Sequence, residues 1–384
     1  MVAVAAPASR RQGARRLWLR LHRWLGLSVG WVLAVVGLLG AVLVVAQPVD
    51  RWAHARLFRA ETPGAAAAPL EPIRLRLVAE FGSSSTLTFR PPRSADETLW
   101  VLVRGKRWSG TVYLDPATGR EQGRRGEAEG FVGIAFKLHS SLLLQETGKA
   151  MLAIGALVYL AMLLTGAVLW WPRRWPPSWR IELRQGLLRG LFDLHRTGGV
   201  LAGLLIALSV ATGAYMAWRP LGEAVTALAG ARPTTSPALP PGSDAGPAAT
   251  LDELVAQARG LFPDDPIGYV QLPGQPNRPV RVRMRLPDDP HPNGLSSVWL
   301  HPRSGAVLGV QRWNELDPGA RAVAWVYPLH VGELGGLPQQ VLTFCTGIAL
   351  GGLGLTGVAL WWKRRRVLPA APHPTAATRD PLRS

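Results

Sequence analysis

Leu21-His22-Arg23 stands at the head of one apolar stretch, and Leu194-His195-Arg196 stands at the head of another. Two more histidines occupy matching places, because Leu138-His139 and Leu329-His330 each shortly precede an apolar stretch of their own. Those two stretches end alike, in Thr165-Gly166-Ala167-Val168-Leu169-Trp170-Trp171 and Thr356-Gly357-Val358-Ala359-Leu360-Trp361-Trp362. An imidazole at a membrane face is costly to hold without a partner. Four of them, arranged in two matching halves, predict two bis-histidine sites built by an internal duplication.

The chain has 384 residues, 48% of them hydrophobic, and those residues are clustered. Uncharged runs cover Trp24–Val49, Ala150–Pro172, Thr197–Trp218 and Leu334–Trp362. Each exceeds the roughly 20 residues that a helix needs to cross a bilayer core. The expectation is therefore four transmembrane segments, at 17–49, 138–172, 191–219 and 329–362. The second and fourth include the interfacial histidine.

The net charge of +18 invites a nucleic-acid reading, and its distribution argues against one. Arg10, Arg11, Arg15, Arg16, Arg20 and Arg23 crowd ahead of the first run. Arg173, Arg174, Arg180, Arg184 and Arg189 fill the short link between the second and third, and Lys363, Arg364, Arg365 and Arg366 follow the fourth. The positive-inside rule places all three clusters in the cytoplasm. That orients a bacterial inner-membrane protein with a cytoplasmic tail at 1–16, a cytoplasmic loop at 173–190 and a second cytoplasmic tail at 363–384. The long segments 50–137 and 220–328 are then periplasmic. The Trp pairs at 170/171 and 361/362 fit an interfacial aromatic belt facing membrane lipid. The first run is too long for a signal-peptide core and reads as a retained helix. Cys345 is the sole cysteine, which excludes a disulfide or a thiolate-ligated cluster within one chain.

The repetition extends into the outer segments. Thr111-Val112-Tyr113-Leu114-Asp115-Pro116-Ala117-Thr118-Gly119 matches Ser297-Val298-Trp299-Leu300-His301-Pro302-Arg303-Ser304-Gly305, each a strand running into a turn. Alternation predicts preceding strands at Leu99–Arg104 and Val280–Leu286. Leu251–Leu261 reads as a helix with Thr250 as N-cap and Glu253 completing a capping box. Leu70–Phe81 is its weaker counterpart. Residues 231–250, rich in Pro, Ala and Gly, form a linker.

The Leu-His-Arg openings, the Thr-Gly…Trp-Trp endings and the Leu-Asp-Pro-Ala-Thr-Gly turn resemble the PepSY-associated transmembrane family. That family includes iron-regulated membrane proteins and ferric-siderophore reductases. The resemblance covers nearly the whole chain. It implies an α-helical four-helix membrane core, here built from two internal repeats, that binds b-type haem and carries two periplasmic α+β PepSY-like domains.

Aligning His22 on His195 also aligns Gly26 on Gly199, Gly30 on Gly203 and Gly40 on Gly213. Those offsets share a helix face with the histidine. A porphyrin held by the histidine could lie against such a face, and close packing of helices through small residues would use the same glycines. Topology pairs His22 with His195 near the cytoplasmic face, and His139 with His330 near the outer face. The expectation is two haems b, one at each face, with these four histidines as ligands of the iron. Two imidazoles complete a six-coordinate iron suited to electron transfer. Arg23 and Arg196 could pair with propionates or serve only as topogenic charge. The outer histidines are expected on short interfacial turns, pointing back toward the membrane; an exposed interfacial position is the other reading. His54 is a reserve ligand, and a surface histidine is the favoured reading of it. His291, His301 and His373 carry no expected role.

The sequence contains no Gly-rich dinucleotide fingerprint, P-loop or His-Glu-x-x-His motif, so a separate electron donor is expected. The resemblance implies a ferric siderophore or iron chelate as acceptor. Arg281, Arg283 and Arg285 could attract such an anion or be the outward residues of a solvated strand. No catalytic residue is assigned. The rival reading is a membrane-anchored PepSY module that binds peptides or a partner, or regulates a peptidase, without redox chemistry.

Overall fold

The computed structural model describes residues 8–172, 175–232, 235–240, 247–275 and 277–366. Arg173, Arg174, His373 and parts of the expected tails and linker lie outside the described residues. Four helices are long and apolar enough to cross a membrane: Gln12–Ala53, Gln145–Trp170, Leu187–Ala217 and Gly336–Arg365. The first consists of α1 (Ala8–Leu25), a π-helical turn at Gly26–Gly30, and α2 (Trp31–Ala53). The others lie within α6, α7 and α12, whose ranges follow.

After α2 come α3 (Ala55–Phe58), α4 (Leu70–Phe81), β1 (Thr86–Arg90), β2 (Leu99–Arg104), β3 (Ser109–Leu114) and β4 (Glu121–Gly126). Then α5 (Gly130–Ser141) leads into α6 (Gln145–Trp170) and α7 (Leu187–Ala217). The rest of the chain runs through α8 (Arg219–Leu228), α9 (Leu251–Leu261), β5 (Ile267–Leu272), β6 (Val280–Met284), β7 (Ser296–Leu300) and β8 (Val307–Gln311). It ends with α10 (Pro318–Ala324), α11 (Val326–Val331) and α12 (Gly336–Arg366).

In the helical bundle, α12 packs against both α2 and α7, while α6 packs against α7 and α1. Leu33, Leu152, Tyr159, Met162, Ile206 and Leu350 form its interior. The outward faces stay apolar, with Leu201 68% exposed and Leu204 82% exposed. Apolar surface in water costs about 25 cal/mol per Å². Lipid removes that cost, which is why such helices suit a bilayer.

The segments 50–137 and 220–328 share one sheet. Their strands form one antiparallel sheet in the order β4-β3-β2-β1-β5-β6-β7-β8. The seam is the β1–β5 pair, where Phe89 lies opposite Val270 and Leu87 opposite Leu272. Period-two alternation sends Leu87, Phe89, Val101, Val112, Val280, Val282 and Val298 to one face, all buried. Leu77 of α4 and Leu254 of α9 cover that face, giving both segments a single core. The two helices cap each other. Asp252 accepts hydrogen bonds from the backbone N–H groups of Leu70 (2.8 Å) and Glu71 (2.9 Å), and Glu71 accepts one from Leu251 N–H (2.8 Å). The Thr250–Glu253 capping box forms as expected.

His139 and His330 sit on helices, α5 and α11, and not on turns. Each helix ends in a left-handed residue, Leu142 (φ 51°) after α5 and Gly332 (φ 81°) after α11. The chain then reverses into the next spanning helix, so the preceding histidine is carried back alongside the bundle.

Candidate functional site

His22 on α1 points at α6. Its Nδ1 lies 2.9 Å from Thr165 Oγ1 and 3.3 Å from the Met162 carbonyl oxygen. His195 on α7 makes the corresponding contact with α12, placing Nδ1 3.0 Å from Thr356 Oγ1. His139 reaches α2, with Nδ1 2.9 Å from the Val36 carbonyl. His330 reaches α7, with Nδ1 3.1 Å from both the Ser209 carbonyl and Thr212 Oγ1.

These partners fix the tautomer of all four rings in their neutral form. A carbonyl can only accept, so His139 carries its proton on Nδ1. The three threonines direct their own hydroxyl hydrogens to helix carbonyls: Thr165 to Met162, Thr356 to Gly352, and Thr212 to Leu208. Each therefore offers its histidine only a lone pair, and each Nδ1 must donate. The tautomer is assigned here from the hydrogen-bond network. Nε2 then carries the free lone pair and makes no hydrogen bond among the described residues. Such an arrangement is typical of a metal-ligating imidazole, whose other N–H is held by an acceptor.

The rings meet in two pairs. His22 and His195 have ring centroids 6.1 Å apart, with planes at 78°. His139 and His330 are 6.0 Å apart, with planes at 38°. One metal ion joining two imidazoles puts the centroids about 6.4 Å apart, from bonds of about 2.0 Å and about 1.2 Å between nitrogen and ring centre. Both pairs are close to that spacing. Among the described residues no cluster of three or more His, Cys, Asp or Glu could hold a metal. A metal at either pair would thus draw its remaining ligands from outside the protein, as a tetrapyrrole supplies them. The donor set fits a haem.

Glycines make room for the rings. A Cβ on Gly40 would stand 2.9 Å from His139 Cε1, and one on Gly213 would stand 2.9 Å from His330 Cε1. At the inner pair a Cβ on Gly166 would stand 3.1 Å from His22 Cε1, a tight approach, and one on Gly357 would stand 3.4 Å from His195 Cε1, an ordinary contact. The Thr-Gly repeat thus supplies the acceptor for each inner histidine and, at Gly166, the space for His22. Sequence reading found this repeat and did not assign it to the site. Gly26 and Gly30 flank the π-helical turn, with the Met162 sulfur 3.6 Å from a Cβ on either. Gly199 faces Leu353 at 3.9 Å, and Gly203 faces open space within 4 Å.

The arginines divide. Arg196 is held by the Ser178 carbonyl (2.9 Å) and the buried Asp193 (3.5 Å), so it clamps the link between α6 and α7. The Arg23 guanidinium lies 5.6 Å from the Trp24 ring centroid. His54 pairs with Asp50 at 2.8 Å and joins neither histidine pair. His301 has a local task, because its Nδ1 accepts from the Arg303 and Ser304 N–H groups. Asp115 does the same for Ala117 and Thr118 in the matching turn. His291 stacks on Tyr327 at 4.7 Å, and burial, with Arg283 and Arg93 nearby, pushes its pKa down to about 4.

No curated protein gives a significant match to the chain. The family model of the PepSY-associated TM region matches residues 19–364. The span runs from just before His22 to just beyond the second Trp pair, and the chain belongs to the PepSY-associated transmembrane family.

Proposed function

We propose that this protein is a dihaem b electron-transfer protein of the bacterial inner membrane, built by internal duplication. It passes electrons from a separate donor to a periplasmic ferric siderophore or iron chelate. The observation that carries the reading is the pair of histidine couples, each spaced for one metal ion and each imidazole fixed with Nε2 free. Two b-type haems would supply one-electron carriers at two levels of the bundle. The chain holds those levels apart: His22 on α1 is 14 residues from the Val36 carbonyl that holds His139, about 21 Å of helix rise. His195 and Ser209 repeat the offset on α7. Leu33, Ile206 and Leu350 keep the interior dry, and a low local dielectric strengthens each imidazole hydrogen bond.

The arginine clusters support cytoplasmic termini, with the sheet outside. Reporter fusions at Gly119 and Gly305 should both give a periplasmic signal. The decisive experiment is a pyridine haemochrome assay after haem-supplemented expression, expected to give two haems per chain. A value near zero would leave the chain a membrane-anchored PepSY module that binds a partner or regulates a peptidase. His22→Ala and His195→Ala should lose the same spectral component, and His139→Ala and His330→Ala the other. The His22/His195 double variant should lose little beyond either single, because ligands of one site act as a unit. Loss of different components by His22→Ala and His195→Ala would overturn the pairing.

A further inference from the structure

β6 alternates strictly. Val280, Val282 and Met284 enter the core beneath α4 and α9, so Arg281 and Arg283 emerge on the opposite face. Both cations are half-buried there. Arg281 donates from Nε (3.1 Å) and Nη2 (2.9 Å) to Ser297 Oγ, a neutral partner, and its guanidinium lies 5.4 Å from the Trp299 ring centroid. Arg283 lies 5.4 Å from the Tyr269 ring centroid, and its Nε is buried without a hydrogen-bond partner. Neither forms an ion pair among the described residues. Burying a cation without a counterion carries a desolvation cost of several kcal/mol, and here two stand two residues apart.

An open-sided cavity of about 410 Å³ lies beside Arg281, within the range of small-molecule sites. Arg278 adds a second cation to its wall. Gln271, Gln275, Thr86 and Ser84 add neutral hydrogen-bonding groups, and among the described residues no acidic side chain lines it. Gln271 and Trp299 flank Arg281 on the adjacent strands. Ser236 closes one side. Its neighbour Pro237 packs at 3.2 Å from where a Cβ on Gly309 would stand.

We propose that this cavity binds a small multivalent oxyanion, a polycarboxylate or a phosphate, with Arg281 and Arg278 as its charged groups. A guanidinium matches such anions through parallel charge-assisted N–H donors. The Nη1 of Arg281 has no protein partner among the described residues and remains for that bond. Trp299 holds the guanidinium plane in place while the amides and hydroxyls meet the remaining oxygens. This inference does not rest on haem binding, because every group it uses belongs to the sheet, the loops that join its strands and the segment 235–240.

The test uses the full chain in detergent at constant ionic strength. Equilibrium dialysis with labelled citrate and with labelled inorganic phosphate should show saturable binding of at least one, at one per chain. Citrate alone would make the ligand a polycarboxylate, and phosphate alone a phosphate. Arg281→Gln should weaken binding at least tenfold. Arg278→Gln, on an exposed turn, should weaken it severalfold and keeps the test valid if Arg281→Gln does not fold. Arg120→Gln, an exposed arginine in the β3–β4 hairpin at the far edge of the sheet, should leave it unchanged. No saturable binding of either anion, or binding in Arg278→Gln equal to that of the parent, would overturn the proposal.

Discussion

Replacing Gly213 with alanine adds one methyl group in a place that the outer histidine pair cannot spare. The new Cβ would stand 2.9 Å from His330 Cε1. Ordinary carbon contacts begin at about 3.5 Å, so the ring must retreat by roughly 0.5 Å. It cannot do so freely, since Nδ1 is bonded to Ser209 and Thr212 at 3.1 Å on the same helix as Gly213. Metal sites tolerate ligand displacements of only about 0.2 Å. Gly40→Ala poses the same problem for His139, again at 2.9 Å. Gly357→Ala is the built-in control, because its Cβ would stand at 3.4 Å from His195 Cε1, an ordinary contact. All three changes gain about 1 kcal/mol of helix propensity, so a loss cannot be blamed on a weakened helix. Reduced-minus-oxidised absorbance, read with the haem-to-protein ratio, is the assay. Gly40→Ala and Gly213→Ala should each lose one component and drop the ratio from about two toward one. Gly357→Ala should keep both. The reasoning fails if Gly357→Ala loses more haem than Gly213→Ala, or if both outer variants keep the parent spectrum.

Thr356→Val removes the acceptor for His195 Nδ1–H, and second-sphere losses of this kind typically cost 10–100-fold in affinity. Haem should transfer faster from this variant to an excess of a scavenging apoprotein, while Thr356→Ser should behave like the parent. Asp252→Ala uncaps the start of α4 at two N–H groups and should cost about 1–2 kcal/mol, read as a lower melting temperature with unchanged haem content. His291 has its pKa depressed from 6.5 to about 4 by burial and by Arg283 and Arg93. The unfolded chain therefore takes up this proton first, and the contribution of His291 to stability is complete above about pH 6.5 and lost as pH falls toward 4. His291→Gln should narrow the gap between melting temperatures at pH 7 and pH 5; an unchanged gap would show that other groups set it.

What was legible in the sequence followed from patterns with strong local causes. Uncharged runs longer than a bilayer is thick name the spanning helices, and Thr250 with Glu253 names a helix start, because each signal lies within a few neighbouring residues. The strands β2 and β6 are readable because one face of each is buried, which enforces alternation, and β7 is readable from the Pro-Gly turn that follows it, since both its faces are buried. The edge strand β4, Glu121-Gln122-Gly123-Arg124-Arg125-Gly126, buries no apolar face and carries charges that protect an open edge, so no period marks it.

The missing parts depend on contacts between distant residues. Asp252 caps α4 from 182 positions away, and nothing near Leu70 announces it. The β1–β5 seam that fuses the outer segments into one sheet joins strands whose sequences would suit two sheets equally well. The site shows the same division. Matching positions in the two halves paired the four histidines correctly in space, because that pairing needs only topology. The glycines were harder to read. Helical periodicity assigns Gly40 and Gly213 to the face that carries the histidine of their own helix, yet each receives the imidazole of a later short helix. Periodicity states which face a residue occupies, and only packing decides which partner arrives there. Thr165-Gly166 and Thr356-Gly357 carried that information openly as a repeat. The threonine of each pair holds an inner imidazole, and the glycine of the first gives that ring its room.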